Sequence, residues 1–93
     1  MSNSSGLVVG QLVRVTRSAP SYDGDWNNTW EPEMDAAIGQ VGRIMSGVRG
    51  RTGPTVEFPA VPRRDFGYPP AVLEPVSEGP VSPEEWDRMK GSL

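Results

Sequence analysis

Apolar and polar residues alternate in the first regular stretch of the chain, "QLVRVTR" at residues 11–17. Val13 and Val15 fall on one face and Arg14 on the other, which is the period of a half-buried strand. The period is lost between Ser18 and Trp30, where Pro, Gly, Asn and Asp are typical of a loop. The pattern therefore predicts a strand followed by a long first loop.

A short helical turn is expected next, in "PEMDAA" at residues 32–37. Its residues are good helix formers, Pro32 suits the first helical position, and Gly39 ends the segment. Only one or two turns fit between the loop and that glycine.

Four further apolar segments follow, and each is short enough to be a strand. They are "IGQVGRIMSG", "PTVEFP", "RDFGYP" and "AVLEPV". Residues 47–53 form the hairpin loop between the first two of them. The prolines punctuate these segments rather than interrupt them, which is typical of short edge strands.

The tail has the signals of a short helix in "SPEEWDRMKGSL". Ser82 is the N-cap, Pro83 takes the first helical position, and Gly91 stands where the helix should end. Trp86 and Met89 are three residues apart and share one face. Because an isolated helix in water needs roughly 12 to 15 residues, we predict that these two residues dock on the chain itself or on a second copy.

These elements predict a mainly β protein, a small five-stranded SH3-like barrel with a helical turn after the first long loop and a short C-terminal helix. The expected organisation is an N-terminal segment at 1–9, the barrel at 10–76, a linker at 77–81, and the helix and tail at 82–93. A chain of 93 residues makes one domain with one small core.

Composition narrows the function because the chain has neither cysteine nor histidine. The usual general base, the thiolate nucleophile and the commonest zinc ligands are missing, so we predict no enzyme activity, no cofactor and no metal site. No apolar run reaches the roughly 20 residues of a membrane span, and the N-terminus lacks signal-peptide features. The expected location is the cytoplasm.

Charge is unevenly distributed along the chain, whose net charge is −3. Residues 1–42 and 74–93 each carry −3, whereas residues 43–73 carry +3, because Glu57 and Asp65 offset two of the five charges of Arg43, Arg49, Arg51, Arg63 and Arg64. Such an arginine island can contact phosphates, but it can equally be a solvated face balanced by the acidic flanks. Proteins that bind single-stranded nucleic acid require aromatic residues among the basic ones, and none interleaves with Arg49 and Arg51.

The order of "GQLVRVTR", the acidic tryptophan loop, "IGQVGRI", "TVEF" and "FGYPPAVLEPV" resembles Mind bomb/HERC2-type SH3-like domains over residues 10–76. It is also similar to small stand-alone barrels in bacteriophage genomes, and more weakly to KOW-type nucleic-acid-binding barrels. The resemblance implies a non-enzymatic module that binds protein ligands. The phage likeness implies a protein that disables or redirects a host protein, in which case the host cytoplasm is its location.

Two tryptophans stand four residues apart in the first loop. Trp30, just ahead of the helical turn, is expected in the core, and Trp26, flanked by polar residues, is expected to stay partly exposed beside Tyr22. Trp, Tyr and Arg dominate interface energetics. The predicted partner-binding residues are Tyr22, Trp26, Trp30, Arg49, Arg51, Arg63 and Arg64.

Acidic residues of the same loop do not match a calcium-binding loop, since only Asp23 and Asp25 fit the required spacing. Three hypotheses remain. The first is recognition of a protein partner through residues 22–30 and the nearby arginines. The second is nucleic-acid binding through the arginine island. The third is self-assembly, either through the aromatic loop and tail or through attraction between the basic island of one copy and the acidic loop of another.

Overall fold

The computed structural model describes residues 7–24, 26–61 and 66–91 of the chain. In chain order the strands are β1 at Gln11–Val15, β2 at Val41–Ser46, β3 at Thr55–Glu57 and β4 at Leu73–Pro80. One α-helix, α1, follows at Pro83–Lys90. Two 3-10 helices lie between strands, at Pro32–Ala37 and at Pro70–Val72.

The strands form one antiparallel sheet in the order β3-β2-β1-β4. Within the described residues this sheet is open, because β3 and β4 do not pair with each other. Of the predicted strand "RDFGYP", residues 64 and 65 lie outside the described residues, and the rest contributes a single bridge between Thr55 and Gly67. A closed five-stranded barrel is thus not confirmed, whereas the mainly β class and the C-terminal helix are.

The main core cluster contains the two valines that the alternation in β1 places on one face, although Gln11 and Leu12 at the start of the strand are buried as well. Val13 and Val15 are fully buried there, whereas Arg14 is exposed and pairs with Glu74 at 3.7 Å. Ile44 and Val56, which are partners across β2 and β3, lie in the same core. Four aromatic residues from outside the strands belong to the same core cluster: Trp26, Phe58, Phe66 and Tyr68.

Both predicted helical segments form with their predicted bounds. The turn at Pro32–Ala37 is a 3-10 helix with Pro32 in its first turn, and it buries Met34 and Ala37. In α1 the Ser82 side chain accepts a hydrogen bond from the Glu85 backbone N–H at 3.2 Å. Local capping signals are therefore enough to place these ends.

The segment 77–81 is a correction to the predicted organisation. Strand β4 runs to Pro80, where it pairs with Gln11. The Ser77 hydroxyl accepts a hydrogen bond from the Leu12 backbone N–H at 3.0 Å. Most of the predicted linker is therefore part of the sheet, and α1 starts almost directly from the end of β4.

Candidate functional site

The candidate site is a cleft formed where the first loop meets the β2–β3 hairpin and the segment before β4. Its volume is about 370 Å³, and its lining residues are Asp23, Gly24, Trp26, Gly50, Arg51, Pro69, Pro70 and Ala71. We call it the loop cleft. A second depression of about 490 Å³ shares Gly24, Trp26 and Arg51 with it and adds Tyr22 and Asn27.

Hydrogen bonds between the first loop and the hairpin fix the shape of the loop cleft. The Asn27 backbone N–H donates to the Arg51 carbonyl oxygen at 2.7 Å, and the Trp26 indole N–H donates to the Thr52 carbonyl oxygen at 2.8 Å. The Asn28 side-chain amide reaches the Thr52 and Gly67 carbonyl oxygens at 3.2 and 3.4 Å. The two loops therefore form one connected unit.

Gly53 allows the hairpin to approach the indole of Trp26 this closely. Its φ is 86°, in the region that favours glycine. A Cβ placed at Gly53 would overlap the Tyr68 carbonyl oxygen and come within 2.9 Å of the Trp26 indole nitrogen. The absence of a side chain at this position is thus a condition for the loop cleft.

The expected roles of the two tryptophans are reversed in the structure. Trp26 is 4% exposed and belongs to the core cluster, while Trp30 is half-buried and packs against that cluster. The reason is the acceptor that each indole finds. Trp26 donates inward to the hairpin backbone, whereas Trp30 donates to the exposed Asp35 carboxylate at 2.8 Å, which keeps its edge at the surface.

Aromatic contacts link the loop cleft to the centre of the core. The rings of Trp26 and Trp30 meet edge to face with centroids 6.5 Å apart, and Trp30 meets Tyr68 in the same way at 6.2 Å. Tyr68 in turn meets Phe58 at 5.2 Å and Phe66 at 6.4 Å. Edge-to-face pairs each contribute about 0.5–1.5 kcal/mol beyond burial, so these contacts hold Trp26, which lines the cleft, against the aromatic core.

Tyr22 is the exposed aromatic residue of the site. Its side chain is 62% exposed, and its φ of 60° is left-handed, which is unusual for a residue other than glycine. Its backbone N–H donates to the Asn28 carbonyl oxygen at 2.7 Å, and Ser21 accepts from the Trp30 backbone N–H at 2.9 Å. The loop therefore holds this strained conformation in place.

The predicted arginines separate into three groups. Arg51 is exposed and lines the loop cleft, and Arg49 is exposed on the same hairpin without lining the cleft. Arg63 and Arg64 lie outside the described residues. Arg43, another member of the island, is held elsewhere, because its Nε donates to the Val81 carbonyl oxygen at 2.8 Å.

The predicted docking residues, Trp86 and Met89, lie away from the loop cleft. Trp86 is 2% exposed and its indole N–H donates to the buried Glu57 carboxylate at 3.3 Å; Met89 is half-buried. Lys90 donates to Asp87 at 3.1 Å and to the other Glu57 oxygen at 3.3 Å, and these bonds raise the pKa of its ammonium group above its usual value. Hence α1 is attached to β3 through Glu57.

Several cleft residues were not among those predicted from the sequence. Pro69, Pro70 and Ala71 are in its lining, and we call them, together with Trp26, its floor; Asp23 and the two glycines complete the lining. The paired prolines were a usable signal, because proline has no backbone N–H and two together rarely sit inside a sheet. Their presence in the same cleft as Trp26, however, follows only from the tertiary fold.

Among the described residues, no cluster of His, Cys, Asp or Glu has the arrangement of a metal site. Nor does the described part of the chain contain a helix with the length and apolar character needed to cross a membrane. The chain matches no protein-family model, and its comparison with curated proteins and with solved structures finds no match.

Proposed function

We propose that this chain is a non-enzymatic module that binds another protein through the loop cleft. One observation carries the proposal. Tyr22, 62% exposed and held at a φ of 60°, lies beside a cleft whose two loops are tied together by backbone and indole hydrogen bonds. Backbone strain at an exposed side chain is common at binding sites.

The geometry supports binding because the site is already ordered. Association costs side-chain and loop entropy, and a loop fixed in advance loses less of it. Tyrosine adds a large contact area with few rotatable bonds, and arginine adds a planar charged group. Tyr22 and Arg51 line the same depression, so both kinds of interface anchor are present together.

We also propose that the fold is a small SH3-like barrel of the kind that the sequence resembles. The strand order β3-β2-β1-β4 and the Thr55–Gly67 bridge beyond β3 support this relationship. On the same resemblance the protein acts in the cytoplasm, as a phage-encoded modulator of a host protein. Fold alone does not specify function, so the binding proposal rests on the loop cleft.

Nucleic-acid binding is the second candidate function. It is favoured by the exposed Arg49 and Arg51, whose side chains form no ion pair or hydrogen bond with any described residue. The net charge of −3 opposes it. Self-assembly through the tail is less supported, since Trp86 is already buried against its own chain.

The test is site-specific photo-crosslinking in the cells that produce the protein. A photoreactive phenylalanine replaces Tyr22 in one variant and the exposed Val76 of β4 in a control. We expect a discrete protein adduct from position 22 that is absent from position 76. Identical adduct patterns, or adducts with nucleic acid only, would show that the loop cleft is not a protein-binding site.

A further inference from the structure

We infer that the loop cleft selects an acidic peptide segment of its protein partner, with a proline or aliphatic residue on the cleft floor and a neighbouring carboxylate on Arg51. This inference rests on the proposed function and specifies its ligand. It depends on which polar groups of the cleft are already satisfied and which are not.

The floor of the loop cleft offers few groups for polar recognition. The Trp26 indole N–H is already bonded to the Thr52 carbonyl oxygen, and Pro69 and Pro70 have no backbone N–H. Ala71, whose side chain is a methyl group, lies next to them in the lining. A polar ligand group placed against Trp26, Pro69 and Pro70 would lose its hydration without gaining a donor from them, so an apolar group fits there better.

Among the described residues that line the cleft, Arg51 is the one with a cationic side chain. Its backbone carbonyl oxygen is fixed by the Asn27 N–H at 2.7 Å, whereas its exposed guanidinium forms no ion pair or hydrogen bond with the described residues. A guanidinium binds a carboxylate through two parallel hydrogen bonds. The residue is thus positioned by its backbone while its charge is left for a ligand.

Asp23 limits how such a ligand can lie. It lines the same cleft as Arg51, yet the two do not form an ion pair with each other. A carboxylate of the ligand is attracted to Arg51 and repelled by Asp23, so one orientation is favoured over the reverse. Arg49 on the same hairpin adds a second exposed positive charge that favours acidic ligands.

The experiment uses the full chain and a library of short random peptides. The wild type is compared with Arg51→Glu and Arg51→Ala, and the matched control is Arg88→Ala, which removes an exposed arginine from α1. Far-ultraviolet circular dichroism and thermal unfolding first establish that each variant is folded. Selected peptides are then measured by fluorescence anisotropy at several salt concentrations.

We expect the wild type and Arg88→Ala to select peptides in which Asp or Glu adjoins Pro, Leu, Ile or Val. For such a peptide, Arg51→Ala should weaken binding roughly tenfold or more, the loss expected for a charge-assisted hydrogen bond. Arg51→Glu should select peptides with Lys or Arg instead. Rising salt should weaken the wild-type complex more than the Arg51→Ala complex.

Other outcomes would overturn the inference. Peptides without acidic residues, selected equally by Arg51→Glu, would refute the acidic ligand but leave a protein-binding module in place. An equal loss from Arg88→Ala would indicate general charge attraction. Selection of sequences like residues 31–35, together with concentration-dependent sedimentation, would identify a second copy as the ligand. No selected peptide would refute peptide recognition, while the crosslinking from position 22 decides separately on the proposed function.

Discussion

At the scale of single residues, Tyr68 determines how the core packs beneath the site. Its ring is fully buried and contacts Trp30, Phe58 and Phe66 edge to face. Its hydroxyl is also buried and has no hydrogen-bond partner among the described residues. A buried hydroxyl without a partner costs free energy that the aromatic contacts must offset.

Replacing Tyr68 with Phe is therefore expected to stabilise the protein by about 1 kcal/mol, because it removes the buried hydroxyl and keeps the ring. Chemical denaturation of the two proteins measures the change in the free energy of unfolding. Tyr22→Phe is the matched control, since the hydroxyl removed there belongs to an exposed side chain and should have little effect. A loss of stability in Tyr68→Phe would mean that the hydroxyl has a partner.

Alkaline pH gives a second prediction at the same residue. Burial raises the pKa of Tyr68 from 10.0 to about 12, so the folded state keeps the proton that the unfolded chain loses. This contribution to stability is complete below pH 10 and is lost as the pH rises through about 12. Across this pH range the free energy of unfolding should fall by about 2 kcal/mol more in the wild type than in Tyr68→Phe. Both proteins retain Lys90, so its deprotonation cancels in the comparison; parallel curves would contradict the prediction.

A third prediction concerns Gly53, the hairpin residue that lies close to Trp26 and Tyr68. Gly53→Ala should cost about 2–4 kcal/mol, through the strained φ and the overlap with the Tyr68 carbonyl oxygen. Gly24→Ala is a useful control, since its φ of 59° is also left-handed but no atom lies near the added methyl group. Equal losses in thermal stability would show that backbone strain alone, and not close packing, matters at Gly53.

At the scale of elements, α1 illustrates how a helix too short to persist alone is kept in place. It spans eight residues, fewer than the roughly 12 that an isolated helix needs. Burial of Trp86 and the hydrogen bonds of Trp86 and Lys90 to Glu57 provide the missing stabilisation. The helix thus docks within its own chain, one of the two arrangements expected from the sequence.

Trp86→Ala should therefore destabilise the protein by about 3 kcal/mol or more, because it opens a cavity and leaves Glu57 with one donor fewer. Met89→Ala, at a half-buried position, should cost less. Thermal unfolding gives the stabilities, and analytical ultracentrifugation gives the mass. A lower mass in Trp86→Ala, with little loss of stability, would mean that the helix docks on a second copy instead.

At the scale of the whole molecule, charge opposes strong binding to nucleic acid. The described arginines Arg49 and Arg51 are exposed on one hairpin, but the chain as a whole carries −3. A protein that neutralises few phosphates releases few counterions, and its affinity for nucleic acid is low because counterion release supplies much of that affinity. The basic hairpin is therefore better suited to a short acidic segment than to a long phosphate backbone.

Any DNA or RNA binding is accordingly expected to be weak and to fall steeply with salt. Titration of a labelled oligonucleotide at several salt concentrations measures both the affinity and its salt slope. Arg51→Ala should reduce the slope by about one counterion, which makes it the informative variant. Submicromolar affinity that persists near physiological salt would make nucleic-acid binding the leading function.

The sequence by itself determined those elements whose signals are local. Alternation around Val13 and Val15 predicted β1 and the face that it buries, and Ser82 and Pro83 predicted the start of α1. These signals work because a strand's period and a helix cap involve only neighbouring residues. The mainly β class was predictable in the same way.

Only the tertiary structure decided which tryptophan is buried and what the cleft contains. Trp26 and Trp30 occupy similar local sequence, and their burial depends on the distant Thr52 carbonyl oxygen and on the space at Gly53. The fold also brings Pro69 and Pro70 into the same cleft as Trp26, which depends on long-range packing. Strand β4 extends to Pro80 through its pairing with β1. Local patterns cannot specify them, because the energy of each contact comes from residues far apart in the chain.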